Sequence, residues 1–406
     1  MSDCDVAIVG GGLVGAPLAL ALDAAGLSVA LLERRAPPVS VPDDPLDQRC
    51  TALSAGSVAW LGSRGLWSAL ADDACPIERV HVSHRGRFGA TRMTAAEEGV
   101  AALGHVVENR RVLAAFDARL AASGVRRLAG RALASIEHAG DISRVRHVAA
   151  DGDAASADHG GGDHDGAGAT LSARLVVGVD GTDSAVRAAL GIEVRHHDYR
   201  QSAVLGTLRL ERDHAHVAHE RFTDSGPLAL LPRPDRIVSF VECVTPEDGE
   251  RLGGLDDEAY LAHLQARFGR RLGRFVALGP RSVVALSRIE AERQSAPRAL
   301  LLGNAARLLH PIAGQGYNLA LRDVAALVRT LARAPADPGE DALLDAFVAE
   351  RRADQRRVVA LTDTLARTFR GRSATLSHLR ALGLVGLDTV TPLRRRFARS
   401  AMGAGG

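Results

Sequence analysis

The sequence predicts an α/β protein. It has a Rossmann-like nucleotide-binding domain that is discontinuous along the chain, an inserted α+β domain based on a mainly antiparallel sheet, and a helical C-terminal region. Three observations carry this reading. An apolar run at residues 6–9 ends in Gly10-Gly11-Gly12, then come an Ala/Leu-rich stretch and a second apolar run closing on Glu33, which together make a βαβ unit. Two more short apolar runs, at 175–179 before Asp180-Gly181 and at 300–302 before Gly303, have the same strand-then-turn character far down the chain. Between those two runs the pattern changes to alternation, as at 203–210 and 237–241, which signals antiparallel strands with one buried face.

Taken in order, residues 13–25 are strong helix formers and Gly26 stops them. Residues 28–32 are the second strand. A helical pattern covers 110–123, and another covers 256–268 inside the alternating segment. Long helical patterns run over 318–334 and 341–369. Residues 151–168 hold mostly Gly, Ala, Asp and His; such a composition buries no apolar area and predicts a mobile loop. The nucleotide-binding domain is therefore expected in three pieces, 1–75, 106–190 and 296–335. The inserted domain is expected at 76–105 and 191–295, with the helical region at 336–406.

The chain has 406 residues, of which 46% are hydrophobic and 24% charged, enough apolar material for a sizeable core. All 50 basic residues are arginine against 48 acids, a net charge of +2, so no global field favours nucleic acid. Lysine chemistry, Schiff base or P-loop, is excluded. Cys4, Cys50, Cys75 and Cys243 are scattered without a C-x-x-C pair, which fits a reducing compartment and no structural zinc. Neither a signal peptide nor a membrane span is expected in the first residues. A cytoplasmic location, peripheral to the inner membrane, is the expectation. His214-x-His216-x-x-His219 has ligand-like spacing. On a strand, however, His214 and His216 would share one face and His219 the other. Asp158-His159 and Asp163-His164-Asp165 fall in the 151–168 loop. No metal is expected.

Gly10-x-Gly12-x-x-Gly15 lies after a strand and before a helix, where glycines allow a tight turn and close backbone approach, and the helix N-terminus holds a pyrophosphate. Glu33, ending the next strand, suits the ribose hydroxyls of an adenosine. This leaves NAD and FAD open. Two further stretches separate them. Val179-Asp180-Gly181-Thr182-Asp183-Ser184-Ala185-Val186-Arg187 matches a D-G-x-x-S-x-V-R signature. Gly303-Asn304-Ala305-Ala306, then Pro311, then Gly314-Gln315-Gly316-Tyr317-Asn318, resembles G-D-A-A-H-x-x-x-P-x-x-G-Q-G-x-N. With the glycine loop, these are the three motifs of FAD-dependent aromatic hydroxylases of the para-hydroxybenzoate hydroxylase type, in the right order. Within that family the chain resembles the ubiquinone-biosynthesis hydroxylases. Arg49-Cys50-Thr51-Ala52-Leu53-Ser54, residues 80–86, Glu220-Arg221-Phe222-Thr223, Gly226-Pro227-Leu228-Ala229 and residues 309–316 look most like the 2-polyprenyl-6-methoxyphenol hydroxylase branch. It departs from the motif at Asn304, usually Asp, and at Arg307, usually His.

The resemblance implies a Rossmann-like FAD-binding domain and non-covalent FAD. NAD(P)H or another electron donor would be the reductant and O2 the co-substrate, with a C4a-hydroperoxyflavin delivering oxygen to an electron-rich ring. It places Gly10, Gly12 and Gly15 at the pyrophosphate, Glu33 and Arg34 at the adenosine, and Arg49 and Arg110 toward the phosphates. Asp180, Gly181 and Asn304 fall along the ribityl chain. Pro311, Gly314, Gln315, Gly316 and Asn318 fall at the flavin ring, where a helix N-terminus stabilises negative charge. No general base is identified from the sequence; His310 and Tyr317 are the side chains nearest the expected reaction face.

The substrate implied is a hydrophobic prenylated phenol, hydroxylated para to its hydroxyl. The apolar residues 227–232 offer a wall for its ring and tail. Another aromatic substrate is the alternative enzyme reading. Asn304 and Arg307 keep open a catalytically silent flavoprotein scaffold. Expected partners are a ubiquinone-biosynthesis complex, further copies of the chain, and a membrane surface touched by residues 376–402, where Leu, Val and Phe mix with Arg394, Arg395, Arg396 and Arg399.

Overall fold

The computed structural model describes residues 2–35, 46, 49–87, 89–150, 168–223, 225–333, 336–368, 386 and 388–403. Strand Cys4–Val9 runs parallel to Val29–Glu33 on one side and to Ala169–Gly178 on the other. Ala299–Leu301 and Arg126–Ala129 extend this parallel sheet outward. Residues 6–9, 29–32, 175–177 and 299–301 read as apolar runs because both faces are covered there; the edge strand Arg126–Ala129, Arg-Arg-Leu-Ala, has no such run and the sequence reading did not anticipate it. On one face Val6, Ile8, Leu31, Leu175 and Val177 pack against residues of helices Gly15–Asp23, Asn109–Ala121 and Gln315–Arg333. On the other, Ala7, Ala30, Val176 and Leu301 meet Val145, Leu171, Val186 and Ile192. Strands Arg131–Ala139 and Ile142–Ala149 form an antiparallel extension of this sheet. The sequence reading did not anticipate this hairpin. Only one face of Ile142–Ala149 is fully buried, and exposed Arg144 and Arg146 interrupt the other, so no apolar run marks it. The 151–168 loop, with its Asp-His runs, lies outside the described residues except for Gly168.

A second sheet of nine strands takes Arg79–His84 and Ala90–Thr94 from early in the chain and the rest from residues 194–308. Arg79–His84 joins it by parallel pairing with Val217–Thr223; its other pairings are antiparallel. Helices Pro246–Gly253 and Asp257–Phe268 flank this sheet. Leu208, Leu228, Leu230 and Phe240 form one core with Leu252, Tyr260, Leu264 and Phe268. The sequence reading missed the first helix, although its start signal is present. Thr245 Oγ1 accepts from Asp248 N at 3.2 Å and Pro246 occupies the first turn.

Cys50–Ser54, Gly104–Glu108 and Cys75–Ile77 make a third, three-stranded sheet. It is bolted to the large sheet by charge. Glu108 accepts from Arg110 Nε at 2.8 Å and from Arg111 Nε at 3.3 Å, and it also pairs with Arg233 at the far end of strand Gly226–Arg233. Burial alone would raise the Glu108 carboxyl; the Arg110 hydrogen bond and the Arg233 and Arg111 charges outweigh it and hold it below the ordinary range.

Helix Thr391–Ala401 folds back over this region. Ala398 and Met402 bury against Met93, Ala95 and Leu103, and Met402 O accepts from Gly56 N at 2.9 Å. Arg394 is held by Glu97 at 3.1 Å. Among the described residues no helix is long and apolar enough to cross a membrane.

Glu108→Gln deprives the fully buried Arg233 of this carboxylate. We expect a loss of about 3–5 kcal/mol of stability, read as a lower urea midpoint at pH 7. Because the native carboxyl titrates below its unfolded value, the wild-type advantage should vanish as pH falls below the ordinary glutamate range. An unchanged midpoint at pH 7 rejects the bolt.

Candidate functional site

The glycine loop shows which of its members are for packing and which face open space. A Cβ on Gly15 would sit 1.7 Å from Gly10 O, and one on Gly10, whose φ is +109°, would sit 2.6 Å from Val179 O. These two residues let the Gly15–Asp23 helix start directly on the ends of two adjacent strands. Gly15 thus has a packing role that the motif reading did not give it. Gly12 differs: nothing lies within 4 Å of its Cβ position. Glu33 Oε2 accepts from Gly11 N at 2.5 Å and Oε1 from Arg35 N at 2.9 Å, fixing the carboxylate beside the loop. Arg34 follows it, exposed.

The two other motifs meet this loop at the same strand ends. Asp180 Oδ1 accepts from Ser184 Oγ at 2.6 Å and Oδ2 from Val186 N at 3.1 Å. Its carboxylate thus also shapes its own turn, with Gly181 at φ +90° opening onto free space. Arg187 is a staple that the sequence reading did not identify. Its Nη1 donates to Ala305 O at 3.0 Å and its Nη2 to Thr182 O at 2.8 Å, joining the Asp-Gly turn to the Gly303–Ala305 turn. Asn304 stands exposed on that second turn. Arg307 Nη2 donates to Gln355 Oε1 at 3.1 Å, and Gln355 bonds Asp323 at 3.1 Å. Arg307 belongs to a polar network under helix Asp341–Thr368.

Arg49 and Arg110 come together at another corner, where Asn109 N donates to Arg49 O at 2.9 Å. Arg49 is exposed, whereas the Arg110 Nε is held by Glu108. Asn318, expected at the flavin, is occupied within the protein. Its Oδ1 accepts from Ser54 N at 2.8 Å and Ser57 Oγ at 2.7 Å, and its Nδ2 donates to Ala52 O and Gly314 O, both at 2.9 Å. That side chain locks the Gln315–Arg333 helix to strand Cys50–Ser54.

Pro311, Gly314, Gln315, Gly316 and Tyr317 border a cavity of about 570 Å³ between the helix N-terminus and the large sheet. Its sheet wall is made by alternate residues: Ala218, Glu220 and Phe222 on one strand, Pro227, Ala229 and Leu231 on the next, then Val241 and Cys243. Leu228 and Leu230 point the other way into the core. The far wall comes from Leu365 and, on the C-terminal helix, Phe397, Ala398, Ala401 and Met402. The sequence reading expected that helix at a membrane or a partner and missed its place at the cavity.

The two base candidates sit differently. Tyr317 Oη donates to Leu13 O at 2.9 Å, and burial pushes its phenol up. It is a strut between helix and glycine loop. His310 is buried at the cavity edge, its Nδ1 accepting from Ile312 N at 3.2 Å and its ring edge-on to Tyr199. Burial pushes it down to about 4, so it is neutral at pH 7. His214, His216 and His219 are not arrayed along one strand as the sequence suggested. Ala215 and His216 have positive φ, making a turn before strand Val217–Thr223. Among the described residues no group of His, Cys, Asp or Glu is placed to hold a metal.

This arrangement fits a bound dinucleotide with a ring system. The open cradle at Gly12, the carboxylate of Glu33, the Asp180-Gly181 and Asn304 turns, and the N-terminus of the Gln315–Arg333 helix would hold it. Gly12→Val should fold as the wild type does, because its Cβ meets no protein atom, yet lose its flavin. Gly15→Val should not fold, its Cβ meeting backbone. Absorbance of the purified proteins reads both outcomes; stoichiometric FAD in Gly12→Val rejects this placement of the loop.

The chain is 37% identical over 402 residues to ubiquinone hydroxylase UbiL of Rhodospirillum rubrum, an alignment covering 98% of this chain and 89% of that protein. It is 31% identical over 404 residues to 3-demethoxyubiquinol 3-hydroxylase of Escherichia coli, covering 98% of each. Among solved structures it resembles p-nitrophenol 4-monooxygenase PnpA of Pseudomonas putida, with TM-score 0.77 and 18% identity over 98% of both chains. It also resembles the anhydrotetracycline hydroxylase OxyS of Streptomyces rimosus, with TM-score 0.73 and 23% identity over 99% of this chain and 76% of that one. These structural likenesses bear on the fold. A family model described as an FAD binding domain matches residues 3–362; the chain belongs to that family and is an FAD-dependent aromatic monooxygenase.

Proposed function

We propose that this monooxygenase hydroxylates the ring of a prenylated phenol in ubiquinone biosynthesis. The observation that carries the reading is the cavity wall: along four strands of the large sheet its alternate positions are, Glu220 apart, apolar, in a chain similar to ubiquinone-pathway hydroxylases. Among the described residues no arginine or aspartate lines it, so a substrate carboxylate would find no clamp. A ring and greasy tail bury well there.

The chain's own residues bind, orient and exclude water. Val80, Val82, Ala229 and Val241 would hold the ring against the sheet, and Phe397 and Met402 close the opposite side. The positive end of the Gln315–Arg333 helix lies at the cavity and favours negative charge there. The chemistry that bound FAD would supply is the reductive activation of O2. The ring must be electron-rich, and a phenol oxygen directs attack ortho or para to itself. Cells lacking the gene should lack ubiquinone and accumulate a prenylated phenol short of one ring oxygen, detected by mass spectrometry. Normal ubiquinone in such cells, with no second hydroxylase present, moves the protein to another aromatic substrate.

We also propose peripheral membrane contact through the C-terminal helix. Val390 and Leu393 are about half exposed at its start, and Arg395 and Arg396 are exposed beside them. Arg394, by contrast, is occupied with Glu97. Apolar and basic side chains together favour an anionic lipid surface. The wild-type protein should float with anionic liposomes, and Arg395→Ser/Arg396→Ser should float less. Equal flotation rejects the electrostatic part.

A further inference from the structure

Strand Val217–Thr223 places one acid on the apolar wall. In register across the sheet lie Val82, Glu220, Ala229, Val241 and Leu205, and all five line the cavity. Four are aliphatic; the fifth is a carboxyl. No hydrogen bond or ion pair to a described residue holds the Glu220 side chain. The surface it keeps opens on the cavity. By contrast, Glu242, on the neighbouring strand Ile237–Val244, is taken up by Tyr260 at 2.7 Å, His263 at 2.8 Å and Arg267 at 3.0 Å.

We propose that Glu220 is the general base of the hydroxylation, taking the phenol proton of the substrate bound in this cavity. The phenol O–H bond breaks and a carboxyl O–H bond forms on Glu220. The electron pair stays on the phenolate oxygen, which enriches the ring carbons ortho and para to it. O2 and the reducing electrons are those of the established activity. When the hydroxylated carbon loses its hydrogen as a proton to solvent, Glu220 returns its own proton to the oxygen and the ring is aromatic again.

The other titratable groups at the cavity do not suit this task. Burial pushes the thiols of Cys50 and Cys243 up, and Glu220 itself adds to the rise of Cys243. Tyr317 is raised and already donates to Leu13. His310 is down at about 4 and His219 at about 3, the latter's ring packed on His81 and Phe268. Glu220 is raised to about 7 by burial. A base is most effective when it titrates near the working pH, and a carboxyl lifted that far is also much closer to a phenol in proton affinity than an ordinary one.

The inference rests on the proposed phenol substrate, and the experiment separates the two. Holoenzyme with a farnesylated methoxyphenol is compared as wild type, Glu220→Gln and Glu220→Asp, each with its flavin content and thermal midpoint. Glu220→Gln should lose about 10²–10⁴-fold in kcat, with a much smaller change in KM. It should also lose the acid limb of the pH profile, where the wild-type rate rises as Glu220 ionises; Glu220→Asp should restore part of both. A Glu220→Gln enzyme with wild-type kcat and pH profile overturns the inference. A wild type inert toward this phenol overturns the substrate reading instead. The base is then judged on the infrared carboxyl band that Glu220→Gln removes. Titration of that band near neutral pH supports the base, and a carboxyl ionised throughout the range above pH 5 overturns it.

Discussion

No side chain fits between the ends of strands Cys4–Val9 and Ala169–Gly178, and the placement of the site follows from that. A Cβ on Gly10 meets Val179 and Asp180, and one on Gly15 meets Gly10 and Val179. Backbone therefore touches backbone where the chain leaves two neighbouring parallel strands. The Asp180 turn is consequently fixed against the glycine loop, and Arg187 carries the Gly303–Ala305 turn to the same place. Three motifs separated by hundreds of residues become one surface because a few ångströms are left empty. Tyr317 Oη, bonded to Leu13 O, extends the same constraint to the helix that opens on the cavity.

Charge is sorted across the large sheet. Glu242 gathers Tyr260, His263 and Arg267 on the helix-covered side, and Glu108 gathers Arg110, Arg111 and Arg233 at the junction with the small sheet. Buried ions are tolerated in such sets because each carboxylate has several donors. The cavity wall, in contrast, carries aliphatic side chains and one carboxyl without such donors. In low dielectric a lone charge is costly, so this carboxyl's proton affinity is set by the cavity and what fills it.

Four strands of the parallel sheet and their loops were legible in the sequence because a doubly covered strand is written as an apolar run and a dinucleotide turn as glycines; the edge strand Arg126–Ala129 carries no such run. The two long helices were legible from their period. Four further features were not. The hairpin at 131–149 buries one face with few apolar residues, and helix Pro246–Gly253 is short enough that its cap is a stronger signal than its period. The sites of Asn318 and Asp180 were read from motif position alone. Motif position does not say which side chain atoms the fold itself consumes, and Asn318 is consumed entirely. Glu220 was visible only as part of a family-like stretch. Its meaning depends on register, on Val82 and Ala229 flanking it across two strand pairings, and register is not written locally in the chain.

That acid is also an expense to the fold, and the sign of the expense explains why it is informative. Burial lifts Glu220 from 4.5 to about 7, so between those values the native state holds a proton that the unfolded chain releases. Native stability then falls as pH rises through this window, and above it the folded protein carries a penalty on the order of 3 kcal/mol. A valine or leucine at the same position would fill the wall without that penalty, as Val82 and Val241 do on the same rung. Packing therefore gives no reason for a carboxyl here. The penalty is relieved when a hydrogen-bond donor enters the cavity, and a phenol presents one. Binding and proton transfer thus draw on the same destabilised group, which ties recognition of the ring oxygen to its activation.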